Sequence, residues 1–152
     1  GVTMGLVHDR RTAKALGETS TGNAVAGAGP WGAIPANLVL DAGDQLPEQL
    51  VAGMERGLVV TDFWYTRILD PRTQVVTGLT RNGVWLVEDG KVVRPVTNLR
   101  FTQSFLDALA PGAVKQVGSD LTLIAGGTFG TGAYAVPSVH LAAWNFTGGA
   151  KG

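Results

Sequence analysis

The sequence predicts an α+β chain, β-rich and built mainly from antiparallel sheet, sandwich- or barrel-like, with two or three short helices. Three observations carry that reading. Val84 to Val96, VWLVEDGKVVRPV, is a hairpin signal. Its Asp89-Gly90 pair suits the left-handed backbone of a type I′ turn between two apolar runs. At least five further strand runs accompany it, against three helix signals of about ten residues or fewer. Glycine accounts for 22 of the 152 residues, about twice its usual share of ~7%, which implies many turns and close backbone approaches.

Val2 to Val7 is short and apolar and reads as a strand. Because it begins almost at the first residue, it is expected to lack its partner within the chain. That points to a fragment of something longer, or to pairing with another copy. Asp9 can cap a short helix, Arg10 to Leu16, closed by Gly17. Ser20 to Gly32, STGNAVAGAGPWG, is a glycine-rich loop, and Asn37 to Leu40 is a strand. Pro47 suits the first position of a helix to about Arg56, with Leu46, Leu50, Val51 and Met54 on one face.

Leu58 to Leu69 is the longest strand candidate, rich in β-branched and aromatic residues. Its apolar residues fall on both parities, so both faces are expected to be at least partly covered. Asp70-Pro71 ends it, and Val75-Val76 opens a short strand before the hairpin. The hairpin register pairs Glu88 with Lys91, Val87 with Val92 and Leu86 with Val93, all favourable across a ladder. Asn98 to Phe101 adds a strand, and Thr102 can cap a helix from Gln103 to Leu109, stopped by Pro111-Gly112. Leu121 to Ala125 and Val139 to Phe146 are the last strands, separated by the loop GGTFGTG. No repeat or linker divides residues 1–152, so a single domain is expected.

Composition narrows function. Twelve basic and twelve acidic residues give a net charge of zero. Only Arg10, Arg11 and Lys14 cluster, so direct nucleic-acid binding driven by charge is disfavoured. The chain contains no cysteine, which excludes disulfides and thiolate metal sites and favours a cytoplasmic setting. No apolar run approaches the ~18 residues of a membrane span. Asn145-Phe146-Thr147 matches a glycosylation sequon, a triplet common by chance.

The chemical motifs are weak. Gly27 to Gly32 fits GxGxxG, but Pro30 lies inside it and no helix follows, so it reads as a loop. His8 and His140 are the two imidazoles, and neither has a second ligand at metal spacing. His140 reads as a sheet residue with one partner. Ser20, Thr21 and Asn23 have no base placed beside them, so the polar-turn reading outweighs a nucleophile loop. Trp31, Trp64, Trp85 and Trp144 read as core or interface residues rather than a stacking platform.

In order and spacing, a set of segments resembles the C-terminal region of the TldD/PmbA, or "modulator of DNA gyrase", metalloprotease family. They are GVTMGLVHDRRTAKALG, STGNA, PANLVL with its AGD loop, PEQLVAGMERGLVVTDF, TGLTRNGVWLVEDGKVVRPV, VGSDL and VPSVHLAAWNFTG. The resemblance covers nearly the whole chain and implies that it is the C-terminal portion of a longer protein. It further implies a two-subunit metalloprotease that trims peptide precursors and degrades unfolded polypeptide. The TldD-type subunit carries HExxxH, a zinc site with an adjacent general base, and a cysteine ligand near its C-terminus. The TldE/PmbA-type subunit lacks the site and completes the chamber.

The closing VPSVHLAAWNF resembles the TldE/PmbA type, so no catalytic or metal residue and no cofactor is expected in this chain. Zinc is expected in a TldD-like partner subunit, with assembly onto that partner or as a homo-oligomer. Peptide or unfolded polypeptide is the implied substrate, with no direct nucleic-acid or membrane contact. Ser20, Thr21, Gly22 and Asn23 match the family's loop and are the implied peptide path. The alternative is a stand-alone binding module with its ligand in loop 20–32.

Overall fold

The computed structural model describes residues 2–27, 29–126 and 132–149. In chain order its elements are helix α1 (Arg10–Leu16), a 3-10 turn (Gly29–Trp31), strand β1 (Leu38–Val39), α2 (Pro47–Ala52), β2 (Arg56–Asp70), β3 (Val75–Glu88), β4 (Lys91–Pro95), β5 (Leu99–Ser104), α3 (Phe105–Ala108), β6 (Val114–Val117), β7 (Thr122–Ala125), β8 (Ala133–Val136), β9 (Val139–Leu141) and β10 (Phe146–Gly149). The fold is α+β and β-rich. Its strand pairs are antiparallel except β1 with β8, the sheets do not close into a barrel, and the helices are short. The chain divides into two compact units. One comprises Gly1–Ala42 and Asp120–Pro137, the other Gly43–Ser119 and Ser138–Gly152.

In the first unit, Asp9 starts α1 as expected. Its carboxylate accepts from the Thr12 N–H at 2.6 Å, and the Thr12 hydroxyl accepts from the Asp9 N–H at 3.0 Å. That reciprocal pair satisfies donors the first helical turn leaves open. Gly17, at φ 70°, closes the helix. The sheet runs β1-β8-β7, with β8 parallel to β1 and antiparallel to β7. Val2 to Val7 is not a strand. Among the described residues it pairs with no strand, and Val2, Met4 and Leu6 are exposed. Apolar alternation supplies the side chains of a strand but not the partner that makes one. β8 had no counterpart in the expected elements, and residues 127–131 of the GGTFGTG loop lie outside the described residues.

The second unit holds the main sheet, ordered β10-β5-β3-β2, with β4 also on β3. β3 is one continuous strand where two were expected. β2 lies along one side of it, while β5 and then β4 share the other. The turn residues Asp89 (φ 48°) and Gly90 (φ 72°) are both left-handed, the type I′ pattern. Glu88 pairs with Lys91 and Val87 with Val92 as read. A bulge then sets Leu86 opposite Arg94 instead of Val93.

Pro47 does open α2. The helix ends at Ala52 rather than Arg56, because β2 already begins there. The third helix is capped by Ser104, not Thr102, and spans only Phe105–Ala108, since β5 runs on to Ser104. The expected strand Val139 to Phe146 is two strands in different sheets, β9 on β6 and β10 on β5. β6 was not anticipated.

Leu50, Val76, Val84, Val87, Phe101 and Ala108 are the buried apolar side chains of this unit. Phe101 is the centre of an aromatic group. Phe63 lies 4.6 Å and Trp144 5.4 Å from its ring centroid, and Phe63 stacks on Trp144 at 5.0 Å. The expectation that both faces of β2 are covered fails beyond Val60. Trp64, Tyr65, Ile68 and Leu69 are all exposed. Extra residues in β2 at its distal end, one of them Tyr65 at φ 56°, swap which parity faces the core.

Candidate functional site

The four residues singled out by sequence gather around one backbone unit, that of His8. The Thr21 hydroxyl accepts from the His8 N–H at 2.7 Å, and the His8 carbonyl accepts from the Thr21 N–H at 3.0 Å. The same carbonyl receives the Asn23 N–H and the Ser20 hydroxyl, each at 3.4 Å. Thr21 and Asn23 side chains bond at 2.6 Å, and Ser20 Oγ accepts from the Gly22 N–H at 3.3 Å. Small side-chain oxygens next to turn backbone favour such local bonds. They hold the Ser20–Asn23 loop against the start of α1, with His8 itself buried.

Not all four residues share one role. Ser20 and Gly22 line an open depression with Asp9, Arg10, Arg11 and Ala24. Thr21 and Asn23 brace the loop behind it. Gly22 sits at φ 78° with nothing within 4 Å of where a Cβ would stand, so a chain can approach its backbone closely. Arg10 and Arg11 bring positive charge to the rim, and Arg11 Nη2 donates to the Gly29 carbonyl at 2.7 Å. Their basic cluster was visible in the sequence; its place beside the Ser20 loop was not.

The depression lacks the parts of a hydrolytic centre. The Thr12 N–H, then its hydroxyl, with Arg11 nearby, hold the Asp9 carboxyl below the usual carboxylate range. An acid so held stays ionised at neutral pH and cannot donate a proton as a general acid. Ser20 Oγ is bonded to main-chain groups, not to an imidazole. Among the described residues no three His, Cys, Asp or Glu side chains converge as a metal site would require. The donor set here does not fit zinc.

His140 lies in the other unit, on β9 opposite Gln116. It is a sheet residue, as expected. Its Nδ1 and the Gln116 Oε1 are both buried without a hydrogen-bond partner among the described residues. Of the glycine-rich loop 20–32, Gly29–Trp31 forms the 3-10 turn, Trp31 is exposed, and Ala28 lies outside the described residues.

If Thr21 is a brace, its hydroxyl matters more than its size. Thr21→Val keeps the shape and leaves the His8 N–H without an acceptor, at a cost of roughly 1–2 kcal/mol. Chemical denaturation should show that loss, with faster amide exchange at His8. Thr21→Ser should largely restore both.

Residues 1–148 match the sequence profile of the PmbA/TldA metallopeptidase C-terminal domain. The chain belongs to that family. No curated protein matches it significantly. Solved structures share the fold of this PmbA/TldA domain. TldE from Thermococcus kodakarensis is 20% identical with a TM-score of 0.74, over 95% of this chain and 31% of that one. A protein described as a modulator of a DNA gyrase, from Thermotoga maritima, is 24% identical with a TM-score of 0.70, over 93% and 30%. A third, described as a modulator of DNA gyrase from Bacteroides thetaiotaomicron, is 23% identical with a TM-score of 0.62, over 93% and 27%. The chain therefore spans about 30% of the length of the structures it resembles.

Proposed function

We propose that this chain is the C-terminal domain of a TldE/PmbA-like subunit in a TldD/TldE-type metallopeptidase. In this reading it works in the cytoplasm and is not catalytic by itself. It contributes partner contacts and part of a chamber through which peptide or unfolded polypeptide passes. Zinc belongs to the TldD-like partner. The observation that carries the reading is the family match over residues 1–148 in a chain without cysteine, since the resemblance places a cysteine ligand of the catalytic type within this region. The donor set around Ser20 supports it too, because zinc hydrolysis needs about three converging protein ligands and an open position for water. Ser20 and Gly22, at the mouth of the depression, are the proposed peptide contacts, and Thr21 and Asn23 hold them in place.

Affinity capture from the source cell tests the assignment. Recovery of an HExxxH-bearing protein with peptidase activity, sensitive to chelator and absent from the isolated chain, is the expected result. Stoichiometric zinc and peptide hydrolysis in the isolated chain would overturn it. So would a small molecule bound in loop 20–32 with no protein partner, the outcome expected of a stand-alone binding module.

A further inference from the structure

Near the middle of the main sheet, two residues of β3 stand opposite one of β2. Val60 pairs with Val84 and Asp62 with Arg81, so Thr61 faces Asn82 and Gly83 together. That is a β-bulge. Asn82 takes left-handed backbone there, at φ 61°, and Gly83 follows at φ 136°. Asparagine tolerates the left-handed region better than most side chains. A Cβ on Gly83 would run into the Trp85 ring, so the bulge also requires glycine. The fold thus keeps an Asn-Gly pair, with Asn82 exposed, inside its longest ladder.

Two contacts pin the bulge. Asn82 Nδ2 donates to Asp62 Oδ2 at 3.1 Å. The Thr61 hydroxyl lies 3.1 Å from the Gly83 carbonyl oxygen and 3.3 Å from that of Arg81. It therefore ties the main chain on both sides of Asn82. In the first contact an amide donor faces a carboxylate. An acid in the amide's place would set two carboxylates against each other, and like charges at that range repel.

We infer that Asn82 is a site of spontaneous deamidation, with water as co-reactant, whose acidic product loosens the β2–β3 ladder at this bulge. The Gly83 nitrogen gives its proton to hydroxide and attacks the side-chain carbonyl carbon of Asn82. The bond from that carbon to the amide nitrogen breaks, and ammonia leaves with a proton drawn from water. A five-membered succinimide remains. Water then opens either of its carbonyls, giving aspartate or, with the chain rerouted through Cβ, isoaspartate. Gly83 has no Cβ to hinder the attack. The other four asparagines, Asn23, Asn37, Asn98 and Asn145, precede Ala24, Leu38, Leu99 and Phe146, whose side chains crowd the attacking nitrogen. Either product loses the Nδ2 donor to Asp62. Isoaspartate also lengthens the main chain between the two carbonyls that Thr61 holds. The inference goes beyond the proposed peptidase role and stands without it.

The test is ageing of the chain at 37 °C in mildly alkaline buffer, followed by peptide mapping with mass spectrometry. Asn82 should gain the mass of amide-to-acid conversion before any other asparagine, with an isoaspartate fraction and a rate that rises with hydroxide. Asn82→Asp supplies the aspartate product directly and keeps a residue that accepts left-handed backbone. It should speed amide exchange across residues 80–84. Asp62→Asn in the same chain should restore the slower exchange, because it removes the second carboxylate. Conversion at Asn82 no faster than at the other four asparagines would overturn the inference. So would unchanged exchange in Asn82→Asp, or a loss that Asp62→Asn does not relieve.

Discussion

Phe101→Ala will lower the unfolding free energy of the second unit by about 3–5 kcal/mol, the range for truncating a fully buried phenylalanine. Phe101 is wholly buried on β5. Across the ladder it faces Gly78 of β3, and a Cβ built on that glycine would stand 2.6 Å from the Phe101 ring tip. The ring thus fills the space where β3 has no side chain. Remove it, and one wall of the cavity is backbone, fixed by the β3 ladders on both sides. Such a wall cannot close inward, which places the loss toward the upper end of the range. The cavity also takes away the edge that Phe63 and Trp144 pack against.

Urea unfolding followed by tryptophan fluorescence checks this, with an unchanged m-value marking a true stability loss. Phe105→Ala is the comparison. Phe105 is partly exposed and 6.1 Å from Trp144, so its loss should be clearly smaller. If the two variants cost the same, Phe101 is not the centre of this core.

Physical range separates what the sequence disclosed from what it hid. The Asp89-Gly90 turn and its first two cross-strand pairs were legible because turn chemistry and adjacent residues decide them. The third pair was not, because a bulge depends on how β3 must twist to meet β4. The Asp9 cap is equally local and was read correctly.

Val2 to Val7 has the alternation of a strand, yet strandhood requires a partner, and among the described residues it pairs with none. β8 was missed for the converse reason. Its short run, Ala133–Val136, acquires its structure from pairing with β7 on one side and with β1, far back in the chain, on the other. The Ser20–Asn23 loop was found through family resemblance. That it is organised by the His8 main chain follows from contacts twelve to fifteen residues apart in sequence, which no periodicity reports.

Gly132→Ala will disrupt the sheet of the first unit, at a local cost of roughly 2–5 kcal/mol from left-handed strain plus a backbone clash. Gly132 enters β8 at φ 78°. A Cβ there would stand 2.0 Å from the Ala36 carbonyl oxygen and 2.6 Å from its carbon. Both atoms are main chain, so no rotamer change relieves the contact. Either β8 or the chain entering β1 must move.

The neighbouring bonds depend on that approach. The Ala133 N–H donates to the Asn37 side-chain oxygen at 3.0 Å, and the Leu40 N–H donates to the Ala135 carbonyl at 2.9 Å. Displacing β8 breaks both, and β1 has only the two registered pairs of Leu38 and Val39 to hold it. Hydrogen exchange should show lost protection at Leu40 and Ala133, while Val76, Val84 and Val87 in the second unit keep theirs.

Gly126→Ala separates the two causes. Gly126 is also left-handed, at φ 88°, and its N–H donates to the Gly132 carbonyl at 3.2 Å, but a Cβ there would meet nothing within 4 Å. It should therefore show the conformational cost alone, about 1–2 kcal/mol. Equal effects at the two glycines would mean that the close approach of β8 to Ala36 does not hold in solution.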